Sequence, residues 1–388
     1  MSEKFIPLSV PNIKGNEVKY VTQALEDEWV STGGTRIEEF EQKLGKYVKS
    51  EGAVACQSGT AGLHLALRYY GISPEDMIIV PTLTFIAAVN PVMYEKAEPI
   101  FMDCDDSLCM DPDKLRRFLE KECTFDGQTV IFNRNKKMIK AIIIVHVFGN
   151  MADMEQIMQI ANMYCLPVIE DATEALGTYY TSGKYKGKYA GTIGNIGVYS
   201  FNGNKIITTG GGGMVVSNNR ETLQKIKYLS TQAKDDTVNF IHNEVGFNYR
   251  MTNIQAAIGV AQLEQLESFI EAKNRNYFYY RRLIEELPGV SFLCFKENIR
   301  SNCWFYSLLL EEGYNKQELI DFFLENKIQT RPIWGLISEQ KPYIDCYKYQ
   351  ISRARYYHER IVNVPCSTNL SEDDINRVIE VLNKFMEH

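Results

Sequence analysis

The chain has 388 residues, 45% hydrophobic and 23% charged, a globular composition that excludes a disordered or fibrous protein. Lys and Arg number 42 against 49 Asp and Glu, a net charge of -7, and without a basic surplus or a Lys/Arg run nucleic acid is not expected as a partner. The length suits about two domains with a sizeable apolar core.

The first two-thirds alternates short apolar runs with helical patterns. Residues 53–57 read as a strand ahead of a helix in GTAGLHLALRYYG, and residues 78–81 as a strand ahead of a helix in FIAAVNPVMYE. Residues 98–103 read as a third strand, after which Asp111 is placed to cap a helix in DPDKLRRFLEK. Residues 123–139 read as a polar hairpin or insertion without chemistry. The run AIIIVH at 141–146 is expected of a strand buried on both faces. A helix at 153–164 and a strand at 166–171 follow. This rhythm predicts a mostly parallel sheet with helices on both sides, and such sheets take ligands at the carboxyl ends of their strands.

Residues 172–195 break the rhythm and read as a long irregular loop, of a kind often functional. Strands at 196–201 and 213–217 follow, with a glycine-rich turn between them. Thr252 and Gln255 form a capping box for a helical pattern running from 253 to about 287, stopped near Pro288-Gly289. The domain boundary is placed along that helix. Residues 1–265 then form a large α/β domain with an N-terminal segment, and 266–388 the long linking helix and a small C-terminal α+β domain. Within the latter, 304–311 read as a strand, 316–325 as a helix and 371–387 as a final helix.

Nine cysteines stand scattered without a C-x-x-C pair, and the N-terminus lacks a charged segment followed by an apolar run. Reduced thiols in a cytoplasmic protein are therefore expected. No stretch approaches the roughly 18 apolar residues of a membrane helix. The five histidines never fall at ligand spacing with one another or with Cys, so neither a membrane nor a metal partner is expected.

Four features carry chemistry, all at strand ends or in the loops after them. Residues 57–61 (QSGTA) lie between a strand and a helix, where small residues let backbone N–H groups approach an anion; a plain helix cap would look the same. Glu170 and Asp171 end a buried strand, either as caps or as partners of a cation, and Glu174 is within reach of the same cleft. In SFNGNKIITTGGGG, residues 200–213, Lys205 sits in a tight loop of small and polar residues. A partly desolvated lysine there can act as an amine nucleophile, and the glycines permit close backbone approach to a ligand. In GFNYRMTNIQAAIG, Asn248 and Arg250 precede a helix start, a suitable place for phosphate contacts. An amine, an acid for a pyridinium and an anion cradle are together what pyridoxal phosphate demands.

With these residues in view, the chain resembles the fold-type I aminotransferases of the DegT/DnrJ/EryC1/StrS family, from PLSVPNIKGNE to TRPIWGLI and the last helix. EDATEALGT, GNIGVYSFNGNKIITTGGGGMV and NYRMTNIQAAIG, in that order, carry the likeness most specifically. The wording of IPLSVPNIKGNEVKYV, VPTLTFIAAVNPV and HVFGNMADM is similar to the LegC-like subgroup. Many relatives read GEGG where residues 210–213 here are all glycine, a departure that bears on subgroup more than on catalysis.

The resemblance implies a large domain with a mostly parallel seven-stranded sheet flanked by helices, plus a small α+β domain. It implies that Lys205 forms a Schiff base with pyridoxal 5'-phosphate and then acts as acid and base, and that Asp171 pairs with the pyridine nitrogen. It implies that Phe85 stacks on the ring, and that Gly59, Thr60, Ala61 and Ser200 bind the phosphate. Asn248 would reach in from the partner of a homodimer with shared active sites. Glu174 would lie near the ring hydroxyl or the substrate, Arg331 and Arg250 near the nucleotide diphosphate or the donor carboxylate, and Ser31 and Thr32 beside the sugar.

The implied reaction moves an amino group from L-glutamate to the C4 keto group of a nucleotide-linked, UDP-type 4-keto-6-deoxy-N-acetylhexosamine, giving a 4-amino sugar for bacillosamine- or legionaminic acid-type glycans. Alternatives are amination at C3, a GDP-linked sugar, or a non-catalytic pyridoxal phosphate-binding scaffold. Sugar 3-dehydratases of the family carry histidine where Lys205 stands here.

Overall fold

The computed structural model describes residues 4–387 of the chain; the first three residues and His388 lie outside the described residues. In chain order the strands of the first two-thirds are β1 (Gly52–Cys56), β2 (Asp76–Pro81), β3 (Glu98–Met102), β4 (Cys123–Phe125), β5 (Val130–Phe132), β6 (Met138–Val145), β7 (Val168–Asp171), β8 (Tyr179–Tyr180), β9 (Ile196–Ser200) and β10 (Gly213–Ser217). The remainder adds β11 (Val290–Phe292), β12 (Ile299–Arg300), β13 (Tyr306–Leu310), β14 (Arg331–Pro332), β15 (Lys348–Tyr349) and β16 (Ile361–Val364).

Strands too apolar to face water on either side stack into one central sheet. Ile78, Ile79 and Val80 of β2 and Ile142, Ile143 and Ile144 of β6 are fully buried, as a sheet covered by helices on both faces requires. Its order is β1-β10-β9-β7-β6-β2-β3-β15, with the β4–β5 hairpin beside the start of β6. From β9 through β7, β6 and β2 to β3 every pairing is parallel, whereas β10 runs antiparallel to both neighbours. The expected seven strands form the body of this sheet, and β15 and the polar hairpin extend it. A second sheet, β11-β13-β16-β14, belongs to the C-terminal third, and β8 pairs with β12.

Three local departures from the sequence pattern have plain causes. FIAAVNPVMYE forms a 3-10 turn, Ile86–Ala88, and a separate short helix, Asn90–Tyr94, because Pro91 cannot donate within a continuous helix and instead begins a new one. The strand expected from 304 begins at Tyr306, since Cys303 holds φ at 49° and turns the chain. The long helix, Asn253–Ile284, starts with both bonds of the Thr252/Gln255 capping box made and ends slightly earlier than its pattern suggested.

Register fixes what happens at the carboxyl ends. Val145 lies opposite Asp171 and Asp171 opposite Val198, so β6, β7 and β9 finish side by side. The helix Gly59–Tyr69 starts directly after β1, which brings its N-terminus to the same edge.

Candidate active site

A cavity of about 350 Å³ opens at this edge, lined by the start of the Gly59–Tyr69 helix, the ends of β7 and β9, the loop carrying Lys205, and aromatic residues of the C-terminal third.

The end of the cavity at the helix start is built closely on backbone. Ser58 is extended, and its hydroxyl accepts the Ala61 N–H at 3.0 Å. The Ala61 amide is thus spent on the cap, while Gly59 and Thr60 line the cavity. A helix start leaves N–H groups without intrahelical partners and carries partial positive charge. Close packing explains the glycines here: a Cβ on Gly59 would meet Thr173 Cγ2 at 2.8 Å and Ser200 Cβ at 3.0 Å, and one on Gly213 would meet the Ser58 carbonyl at 2.5 Å.

Neighbouring residues on a strand point to opposite sides, and this separates the two acids of β7. Asp171 lines the cavity, with Oδ1 accepting the Thr173 N–H at 3.0 Å. Burial raises its pKa, opposed by Thr173, Lys205 and His146. Glu170 points away and ties the following loop down, accepting from the N–H groups of Gly191, Ile193 and Gly194. His146 completes that knot: Nδ1 accepts the Ala152 N–H at 3.2 Å, which leaves Nε2–H to donate to Glu170 at 2.8 Å.

Lys205 follows a turn closed by its own N–H to the Asn202 carbonyl. Its side chain is 12% exposed, with Nζ 3.6 Å from Glu174 Oε1. Burial lowers its pKa, while Glu174 and Asp171 pull it back up. Glu174 is held by the Phe148 N–H at 2.8 Å and is pushed up to about 7 by burial, with Lys205 opposing. Both shifts run toward a neutral amine beside a neutral acid.

Phe85 stands at the cavity mouth, 53% exposed, and Ser200 lines the wall beside Gly59. Trp304, Phe305 and Trp334 line the same cavity and were not singled out in the sequence. Trp334 lies in TRPIWGLI, three positions after Arg331, and a tryptophan beside an isoleucine reads first as core.

Other expected residues lie elsewhere in this chain. Asn248 is exposed, in a stretch bridged to Thr231. Arg250 and Thr32 line a second cavity of about 390 Å³; Arg250 Nη1 donates to the Thr32 carbonyl at 3.4 Å, and its buried Nε has no partner. Ser31 is exposed and its carbonyl accepts the Asn253 N–H at 2.6 Å. Arg331 is exposed at the start of β14 and lines neither cavity.

The model of the DegT/DnrJ/EryC1/StrS aminotransferase family matches residues 11–383. EpsN of Bacillus subtilis (strain 168), whose naming as a pyridoxal phosphate-dependent aminotransferase is itself provisional, is 37% identical over 98% of this chain and 95% of its own. The GDP-perosamine synthase of Escherichia coli O157:H7 is also 37% identical, over 98% and 99%. Among solved structures, a DegT DnrJ EryC1 StrS aminotransferase from Brucella abortus superimposes with a TM-score of 0.87, at 26% identity over 96% of each chain.

Proposed function

The chain belongs to the DegT/DnrJ/EryC1/StrS aminotransferase family and is a pyridoxal phosphate-dependent sugar aminotransferase, and from that premise we propose that it moves an amino group from L-glutamate to C4 of a UDP-linked 4-keto-6-deoxy-N-acetylhexosamine. The observation that carries the reading of the site is one cavity in which a buried lysine, a buried aspartate and a helix N-terminus converge. A UDP-4-amino-4,6-dideoxy-N-acetyl-beta-L-altrosamine transaminase of Campylobacter jejuni, 30% identical over 98% of both chains, supports the choice of sugar.

These residues fit the cofactor. Lys205 would hold its aldehyde carbon, Asp171 its ring nitrogen, Phe85 its ring face, and Gly59, Thr60 and Ser200 its phosphate, with Ala61 completing the helix turn. When bound, pyridoxal phosphate supplies an electron sink that makes the proton on the carbon beside the amino group removable.

The chain's own groups do the rest. Lys205 Nζ takes that proton and returns it, and its desolvation favours the neutral amine that proton abstraction needs. Glu174 Oε1 stays within reach of the same nitrogen and steadies it between transfers. Asp171 keeps a carboxyl group facing the cavity. Trp304, Phe305 and Trp334 limit the water that reaches the amine.

Asn248 lies outside the cavity of its own chain, and in this reading it serves the partner's site in a cytoplasmic homodimer. Arg250 and Arg331 meet the nucleotide diphosphate or the glutamate carboxylate, and Ser31 and Thr32 the sugar. No helix among the described residues is long and apolar enough to cross a membrane.

A second reading, a GDP-linked sugar, is favoured by the GDP-perosamine synthases at 37% and 35% identity. Supplying glutamate with UDP- and GDP-linked 4-keto sugars in parallel separates the two by product mass. A 4-amino product from the UDP sugar supports the proposal. Amination of the GDP sugar alone overturns its substrate assignment.

A further inference from the structure

Trp304 is held from three directions. Its Nε1–H donates to the Asn204 carbonyl at 2.7 Å, its own N–H donates to Asn302 Oδ1 at 3.1 Å, and its carbonyl accepts from Lys273 Nζ at 2.7 Å. The indole also stacks on Phe305, with ring centroids 4.1 Å apart. Every polar atom of the residue is therefore engaged, and the left-handed turn at Cys303 sets the ring ahead of β13 instead of within it.

What rests on this fixed ring is the catalytic lysine. Lys205 Nζ lies 3.9 Å from the indole centroid. Asn204, whose carbonyl takes the indole N–H, immediately precedes Lys205 in the chain. One side chain thus holds the lysine at both ends, by its backbone turn and by its amine.

We propose that Trp304 is a positioning residue for Lys205, its indole face receiving the ammonium beside Glu174 whenever the amine is not engaged with cofactor or substrate. The inference rests on the reading of Lys205 as the proton-moving amine. An aromatic face attracts a cation and not a neutral amine, so the ring favours the protonated state that burial opposes. The charged groups facing Lys205 are Glu174 and Asp171, with Lys273 of the long helix lining the small space behind it. Replacing Trp304 leaves all three in the chain.

The test uses protein freed of cofactor. Lys205 is labelled by reductive methylation across a pH series, and its peptide is quantified by mass spectrometry. Trp304→Leu keeps apolar bulk without a ring face, and its labelling midpoint is expected about one pH unit below the parent's, with Trp304→Phe between them. Should the leucine variant not fold, stepwise fluorinated tryptophan in a Trp29→Phe, Trp334→Phe background lowers the midpoint with each added fluorine. An unchanged midpoint in either series overturns the proposal. A parallel arm adds pyridoxal phosphate and borohydride to the parent. A reduced adduct at Lys205 upholds the underlying reading, so an unmoved midpoint then sinks the role of Trp304 alone, whereas an adduct at another lysine sinks the reading itself.

Discussion

Lys205 Nζ and Glu174 Oε1 lie 3.6 Å apart in a cavity that shelters both, and burial drives each toward its uncharged form. A lysine so placed gives up its proton more readily than an exposed one. The pair also has a signature in stability. Folded Glu174 keeps its proton to about pH 7, whereas its ordinary value is 4.5. Between these values the unfolded chain binds fewer protons, so this group's contribution to stability falls as pH rises through that window. Glu174→Gln cannot titrate. In urea titrations of the cofactor-free protein, the variant is expected to gain on the parent between pH 4.5 and 7, by at most about 3 kcal/mol, with no further gain above. A constant difference across the window contradicts the shift.

In the proposed reading, Lys205→Ala removes both the attachment point and the proton carrier. Turnover is expected to fall by at least about 10²–10⁴-fold, and the visible absorption of lysine-bound pyridoxal phosphate is expected to disappear while the far-UV circular dichroism is unchanged.

The four glycines at 210–213 are not equivalent. A Cβ on Gly211 has its nearest neighbour, Gln255 Nε2, at 3.8 Å, whereas one on Gly213 meets the Ser58 carbonyl carbon at 2.5 Å and Gly59 N at 2.7 Å. Gly211→Ala is expected to change stability by less than about 0.5 kcal/mol. Gly213→Ala is expected to cost about 1–3 kcal/mol by displacing the helix start, and to weaken inorganic phosphate as a competitor of the cofactor. Denaturation and competition titrations check both.

That contrast shows what the sequence could and could not convey. AIIIVH and the acid-ended strand that runs into EDATEALGT were legible because a parallel strand buried on both faces has few other compositions. Lys205, Asp171, Glu174, Gly59 and Thr60 could be singled out because strand ends in such sheets are where ligands sit. Trp304 and Trp334 could not be, since their approach to the cavity depends on the turn at Cys303 and on the folding of the C-terminal third over the large sheet. FIAAVNPVMYE misled as one helix because its apolar spacing hid the proline break.

Asn248 is exposed and outside its own chain's cavity, which gives the shared-site proposal a direct check. Lys205→Ala and Asn248→Ala are each expected to be inactive alone. Co-expressed in equal amounts, random pairing in a two-fold dimer leaves one intact site in each hybrid, restoring about a quarter of the parent's activity. No recovery, with hybrids verified by mass, would place Asn248 in service of its own chain.

The central claim is that Lys205 would hold pyridoxal phosphate between turnovers and move the proton in both halves of an amino transfer. Its most direct test is the visible absorption spectrum of the purified protein before and after glutamate, and again after a nucleotide-linked 4-keto sugar. The account predicts a yellow band that bleaches with glutamate and returns with the sugar. A protein that shows no band even after pyridoxal phosphate is added would contradict it.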